Sequence, residues 1–258
     1  LKLRNIVVAS AGTGGKAMVW RCSSTSNAAL VDNLVRANIC RSPRVEAALR
    51  ALDRGNYVLD RSAAYQDSPQ YIGHGVTISA PHMHAACLEL LEPFLRPGMR
   101  ALDCGSGSGY LTAAMMAMVS EGGVPGAAFG IEYVEPLVPW SLGNLKRDKK
   151  EQWLSEHGSF QIRHGDGSQG WAEKGPFNAI HVGAAAPQIP RPLVEQLSRP
   201  GRMVIPLGQQ RMPQELVVVD KAADGSVSMS SQMGVQYVPF HMKAADAFTP
   251  PASPQSEH

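Results

Sequence analysis

The apolar positions of this chain fall into two regimes. Up to about residue 95 they recur at helical spacing, and from Arg100 to Pro206 they come as short continuous runs separated by helical stretches. In the first regime Ala28 to Ala37, Pro43 to Leu52 and Pro81 to Leu95 read as helices. Ser42 ahead of Pro43 supplies a hydroxyl N-cap, followed by a residue whose missing N–H is harmless in a first turn. Leu88, Leu91 and Leu95 share one face, and Pro97-Gly98 ends that helix. Asp53 to Gly75, rich in Gly, Tyr, Asp, Ser and Pro, shows no sustained periodicity and reads as a long connecting loop.

In the second regime Ala101 to Cys104, Ala127 to Ile131, Phe160 to Ile162, Ala179 to Val182 and Met203 to Pro206 read as buried strands, with helices such as Tyr110 to Val119 and Pro190 to Leu197 between them. That rhythm predicts an α/β fold, a mostly parallel, doubly wound sheet with added N-terminal helices. Beyond it, Glu215 to Asp220 and Ser226 to Met229 form a predicted hairpin around Asp224-Gly225, and Val235 to Pro239 a further strand. The expected organisation is one domain over 27–243, an extension over 1–26 that is either disordered or a targeting segment, and a disordered Ala, Pro and Ser-rich tail over 244–258.

Composition narrows the partners. A formal net charge of +2 with 18% charged residues leaves no footprint for neutralising a phosphate backbone, so no nucleic acid is expected. No apolar run is long enough to span a bilayer, and no membrane partner is expected. Cys22, Cys40, Cys87 and Cys104 form neither a disulfide framework nor a metal spacing, which points to a reducing compartment; a cytoplasmic, monomeric protein is expected. The first 31 residues hold Lys2, Arg4, Lys16 and Arg21 but no acid, the pattern of an organellar transit segment, against which stands the plainer reading of an unstructured extension.

The candidate chemistry centres on Ala101-Leu102-Asp103-Cys104-Gly105-Ser106-Gly107-Ser108-Gly109, which ends a strand and opens a helix, the place where doubly wound sheets bind nucleotides. A dinucleotide site needs a small residue where Tyr110 stands, and Asp103 puts an acid where a phosphate would sit. These features disfavour an NAD enzyme and suit S-adenosylmethionine, which carries a sulfonium and an ammonium but no phosphate. Glu132 ends the next strand, where a carboxylate can take both ribose hydroxyls, and Asp166 in Gly165-Asp166-Gly167 is placed to accept from an adenine amino group.

These segments, together with Asp67-Ser68-Pro69-Gln70, Val76-Thr77-Ile78-Ser79-Ala80-Pro81-His82-Met83-His84, Ala179-Ile180-His181-Val182-Gly183-Ala184-Ala185-Ala186-Pro187 and Gly201-Arg202 leading into Ile205-Pro206, resemble the protein-L-isoaspartate (D-aspartate) O-methyltransferases in the family's order over roughly residues 28 to 240. The resemblance implies a Rossmann-like, S-adenosylmethionine-dependent methyltransferase fold. It also implies repair of isoaspartyl residues, with D-aspartyl residues as a second acceptor class. It assigns Ser79 as the catalytic residue and Val76, Thr77, Ile78, Ser79, His84, Gly105, Glu132, Asp166 and Gly167 as cofactor contacts. Asp103 and Gly107 join them from the glycine loop, and His241 stands where the family has a Thr or Ser that closes over the cofactor. Asp67, Val182, Gly183 and Ala184 are the expected substrate contacts, the strand edge gripping an extended peptide through its backbone. His74, His82 and His84 include an HxH spacing, but no Cys or carboxylate cluster completes a site, and no metal is expected.

Overall fold

A computed structural model describes residues 22–155, 158–209, 212–240 and 247–248. His241, most of the predicted extension and most of the predicted tail lie outside the described residues. In chain order the elements are α1 (Asn27–Arg36), α2 (Pro43–Ala51), β1 (Gln70–Gly73), β2 (Val76–Ile78), α3 (Pro81–Leu91), β3 (Arg100–Cys104), α4 (Tyr110–Val119), β4 (Ala127–Glu132), α5 (Leu137–Arg147), α6 (Gln152–Ser155), β5 (Phe160–His164), β6 (Phe177–Val182), α7 (Arg191–Gln196), β7 (Leu197–Leu207), β8 (Gln214–Lys221) and β9 (Val227–Val235).

The sheet runs β5-β4-β3-β6-β7-β8-β9. Pairing is parallel from β5 through β7 and antiparallel across β7, β8 and β9. Side chains on a strand alternate between faces, and here both faces are apolar. Ala101, Ala128, Ala179, Val204, Leu216 and Val218 join the core under α1 to α5. Their neighbours Leu102, Phe129, Ile180, Met203, Val217 and Val219 join a second core with Leu193 and Val194 of α7. Burial on both faces explains why these strands appear in sequence as continuous apolar runs.

The helices start as their caps dictate. Ser26 Oγ accepts from Ala29 N at 3.3 Å, and Ser42 Oγ from Arg44 N at 3.3 Å ahead of Pro43. Ser26 belongs to the predicted extension, and Cys22 within it is buried in the first core, its carbonyl accepting from Asn33 Nδ2 at 3.2 Å. In the predicted tail, Phe248 N donates to Ile189 O at 3.0 Å.

Three readings need correction. Asp53 to Gly75 is not one loop: it holds two 3-10 turns and the first strand of the β1–β2 hairpin. At four and three residues these strands are too short to show a sustained alternation. The third helix stops at Leu91, where Pro93 forces a 3-10 turn over Glu92–Phe94. Val235 to Pro239 is not a separate strand. β9 runs through Val235, and the chain then lies along Ala185, whose N–H donates to Val238 O and whose carbonyl accepts from Phe240 N, both at 2.8 Å.

Candidate active site

Because β3 to β6 are parallel, their carboxyl ends open on one edge of the sheet. The chain crosses from β3 to β4 on one side and reaches β6 on the other, so a crevice lies between the loops after β3 and β6, the switch point where open α/β sheets bind ligands. Gly105 N and Ser106 N both donate to Ile131 O, at 2.8 and 3.1 Å, folding the glycine loop over the end of β4. Gly105, Gly107 and Gly109 take φ of +81°, +50° and +79°, conformations that L side chains resist. Tyr110, which opens α4, is buried against Tyr57 and His84, each 5.2 Å away between ring centroids.

Glu132 sits under this loop, 4% exposed. Its Oε2 accepts from Gly107 N at 2.7 Å and its Oε1 from Val134 N at 2.9 Å. Burial raises its pKa above the ordinary glutamate value, against the pull of those N–H groups. A carboxylate has about four acceptor directions, so acceptor capacity remains for a ligand hydroxyl beside the backbone N–H groups that already reach it. A glycine loop without a basic side chain, backed by a buried acid, fits vicinal hydroxyls and positive charge better than phosphate.

Asp166 and Gly167 follow β5 at the same edge. Asp166 Oδ1 caps a 3-10 turn, accepting from Ser168 N at 2.9 Å and Ser168 Oγ at 2.7 Å, and the Phe240 ring lies against Gly167.

Asp103 departs from the expectation of a ligand contact. It is buried behind the loop, with Oδ2 accepting from Thr112 Oγ1 at 2.6 Å and Oδ1 lying 2.8 Å from His181 Nδ1. Burial works against a charged His181, but the hydrogen bond and charge of Asp103, with Cys87 beyond, overcome it and raise the imidazolium pKa to about 10. The carboxylate that looked open to a ligand is held by its own protein.

The β1–β2 hairpin leans over the loop, with Ile72 packed toward Gly107. Val76, Thr77 and Ile78 form β2, and Ser79 follows it. Thr77, Ser79 and Met83 on one side and Gly183, Gln236, Tyr237 and Val238 on the other line a cavity of about 50 Å³, which on the volume of a water suits a group of carboxylate size rather than a nucleoside. The Ser79 hydroxyl hydrogen-bonds the Tyr237 phenol, which also meets Cys87, and burial raises the Tyr237 pKa far above its ordinary value. Ser79 does not cap α3. That N-cap position is Ala80, and the first turn is closed instead by Asp67, whose Oδ1 accepts from His82 N at 2.9 Å and lies 2.8 Å from His82 Nδ1.

Asp67 is therefore buried and engaged within the protein, which corrects its reading as a peptide contact. Val182 buries its side chain in the second core. Gly183 N donates to Cys104 O at 2.8 Å, and a side chain at Gly183 would collide with Gly105 O. Among the described residues no group of three or more His, Cys, Asp or Glu is arranged to hold a metal ion.

Sequence reading missed Arg54, Tyr237 and Gln214 as site residues. Arg54 Nη2 donates to Ser79 O at 2.7 Å, and Gln214 clamps Tyr237 by accepting from its N–H at 2.6 Å and donating to its carbonyl at 3.2 Å. Only the buried polar side chain at the start of β8 could have hinted at Gln214.

Comparison with known proteins agrees with this geometry. Residues 25–245 match the family model described as protein-L-isoaspartate(D-aspartate) O-methyltransferase. A protein-L-isoaspartate O-methyltransferase 1 of Arabidopsis thaliana is 52% identical over 227 residues, 88% of this chain and 96% of the relative. One of Caenorhabditis elegans is 44% identical over 222 residues, covering 86% and 95%. A crystal structure from Plasmodium falciparum, named for the same activity and in complex with S-adenosyl-L-homocysteine, shares 37% identity, covers 85% of this chain and all of its own, and superposes with a TM-score of 0.77. On this breadth of match, the chain belongs to the protein-L-isoaspartate(D-aspartate) O-methyltransferase family.

Proposed function

We propose that this protein moves a methyl group from S-adenosyl-L-methionine to the free carboxylate of L-isoaspartyl residues in damaged proteins, with D-aspartyl residues as a second acceptor class. The observation that carries the reading is the meeting of Ser79 and Gly183 on one carboxylate-sized cavity beside the glycine loop. Glu132 and the backbone of Gly105 and Gly107 would hold the cofactor, together with His84, Asp166, Gly167 and β2. Bound there, the cofactor supplies an electrophilic methyl group.

An isoaspartyl linkage routes the backbone through the side-chain carboxyl and leaves a free carboxylate with a pKa of roughly 3.5. It is already ionised at neutral pH, so the protein needs no general base. What remains is orientation and exclusion of water, worth up to roughly 7–11 kcal/mol in ideal cases. The Ser79 hydroxyl can donate to one carboxylate oxygen and leave the other aimed outward, while Tyr237 holds the serine rotamer. Methoxide is a far better leaving group than the oxide of a free carboxylate, so the following backbone nitrogen attacks the ester carbonyl, gives up its proton and releases methanol to form a succinimide, and addition of water to that ring returns some normal aspartate.

Buried, unpaired thiols at all four cysteines support a reducing compartment, and we read the protein as a cytoplasmic monomer. Among the described residues no helix is long and apolar enough to cross a membrane.

The test is incorporation of labelled methyl into two peptides that differ only in carrying L-isoaspartate or L-aspartate. Both offer a carboxylate of similar basicity, so only geometry separates them, and a misplacement of about 1 Å costs about a hundredfold. Base-labile label is expected in the isoaspartyl peptide and negligible label in the other. Equal labelling, or labelling of neither, would overturn the assignment.

A further inference from the structure

Arg54 lies in the 3-10 turn after α2 and is completely buried, 0% exposed. Burial lowers its pKa to about 10, so it is still a cation at neutral pH. Its side-chain partners are the carbonyl of Ala64 at 3.1 Å from Nε, His84 Nδ1 at 3.3 Å from Nη1 and the carbonyl of Ser79 at 2.7 Å from Nη2. None of these is a carboxylate. A buried guanidinium without an ion-pair partner is costly unless its planar donor fork is engaged, and two of these partners bracket the start of α3, at the cavity wall and beside Tyr110.

The hydrogen-bond arithmetic is strict. Arginine has five donors and no acceptor, so His84 Nδ1 must accept. A neutral imidazole that accepts at Nδ1 carries its proton on Nε2. Burial first, then the charges of Arg54, His181 and His82, hold the His84 pKa well below the usual histidine value, so the ring stays neutral.

We propose that Arg54 is a positioning residue for methyl transfer, a single buried guanidinium that aims Ser79 through its carbonyl and locks His84 as the neutral Nε2–H tautomer, a fixed donor for a carboxylate oxygen. The inference rests on the methyltransferase reading above. That carboxylate belongs either to the amino-acid part of the cofactor or to the acceptor peptide.

The experiment is ¹⁵N NMR of the histidine rings in the full chain, with kinetics of defined variants. In the unaltered protein His84 should show an acceptor-type Nδ1, a protonated Nε2 and no titration between pH 5 and 8. A proton on Nδ1, or a ring that titrates near pH 6.5, overturns the proposal without any variant. Arg54→Lys keeps a cation but cannot fork to both partners. It should mix the tautomers and lower kcat/KM for the isoaspartyl peptide by about a hundredfold, the scale of a 1 Å misplacement, with the melting transition still cooperative. Unchanged ring shifts and unchanged kinetics in that variant also overturn it. Arg54→Met should go further and bring a His84 titration into range. Should it fail to fold, the unaltered protein and the lysine variant decide.

His84→Gln keeps an N–H near the Nε2 position and should retain more activity than His84→Asn, which places it near Nδ1. Equal activity of the two counts against the proposal. Weakened S-adenosylhomocysteine binding in His84→Asn assigns the donor to the cofactor's carboxylate. A raised KM for the peptide with that binding intact assigns it to the acceptor. If no isoaspartyl peptide is methylated, the functional reading fails while the ring spectra still report on Arg54.

Discussion

Asp103 and His181 stand opposite one another on the parallel strands β3 and β6, and their Oδ1 and Nδ1 atoms lie 2.8 Å apart inside the protein. Both side chains project to the face covered by α3 and α4, where Thr112 takes the second carboxylate oxygen. The pair links the strand that carries the glycine loop to the strand that carries Gly183.

Removing one member of a buried charged pair typically costs about 3–5 kcal/mol, because the other is left uncompensated. Asp103→Ala should destabilise the fold by about 3 kcal/mol on that scale. The pH dependence has a definite sign. The His181 pKa is raised, from an ordinary 6.5 to about 10 in the folded protein, so its contribution is complete below about pH 6.5 and is lost as pH rises toward 10. Denaturant unfolding at pH 6.5 and pH 10 should show a large gap between the unaltered protein and the variant at the lower pH and a smaller one at the higher. A gap that does not narrow would mean the pair is not ionic.

Glu132→Gln should weaken binding of S-adenosylmethionine and S-adenosylhomocysteine by about 1.5–3 kcal/mol, the worth of charge-assisted hydrogen bonds. The amide would keep one oxygen and turn its NH₂ toward Gly107 N–H or a ribose hydroxyl. Because burial raises the Glu132 pKa, affinity should begin to fall, as the solution is acidified, at a pH above that of an ordinary glutamate. Calorimetric titration checks both points. Unchanged affinity in the variant would leave Glu132 with only its role in bracing the loop.

Ser79→Ala should lower kcat/KM for the isoaspartyl peptide at least tenfold while leaving S-adenosylhomocysteine affinity intact. Ser79 is not the cap of α3, so the loss of stability should stay within about 1 kcal/mol, that of one hydrogen bond to Tyr237. Steady-state kinetics with a thermal melt separates the two effects. A variant as fast as the unaltered protein would remove Ser79 from the chemistry.

Elements whose signal is local were legible in the sequence. α4 begins at Tyr110 and ends at Val119 as read, because a glycine turn precedes it and nine of its ten residues are buried and apolar or small enough to pack. The parallel strands were legible because burial on both faces turns alternation into continuous apolar runs. The Ser42 cap of α2 belongs to the same class, since it depends on neighbours a few residues away.

What only the tertiary structure decided depends on long-range contact. Arg54 sits in a polar stretch where any arginine would read as a solvated surface residue, and its burial exists only because Ala64, Ser79 and His84 close around it. Asp67 looked available to a peptide until α3 was placed with His82 against it, and Asp103 looked available to a ligand until His181, 78 residues farther on, arrived at its side. A carboxylate in a sequence has the same acceptors whether it meets a ligand or its own protein. Which of the two it meets is set by packing, because burial makes an unpartnered acceptor costly and the fold supplies whichever donor it brings within reach.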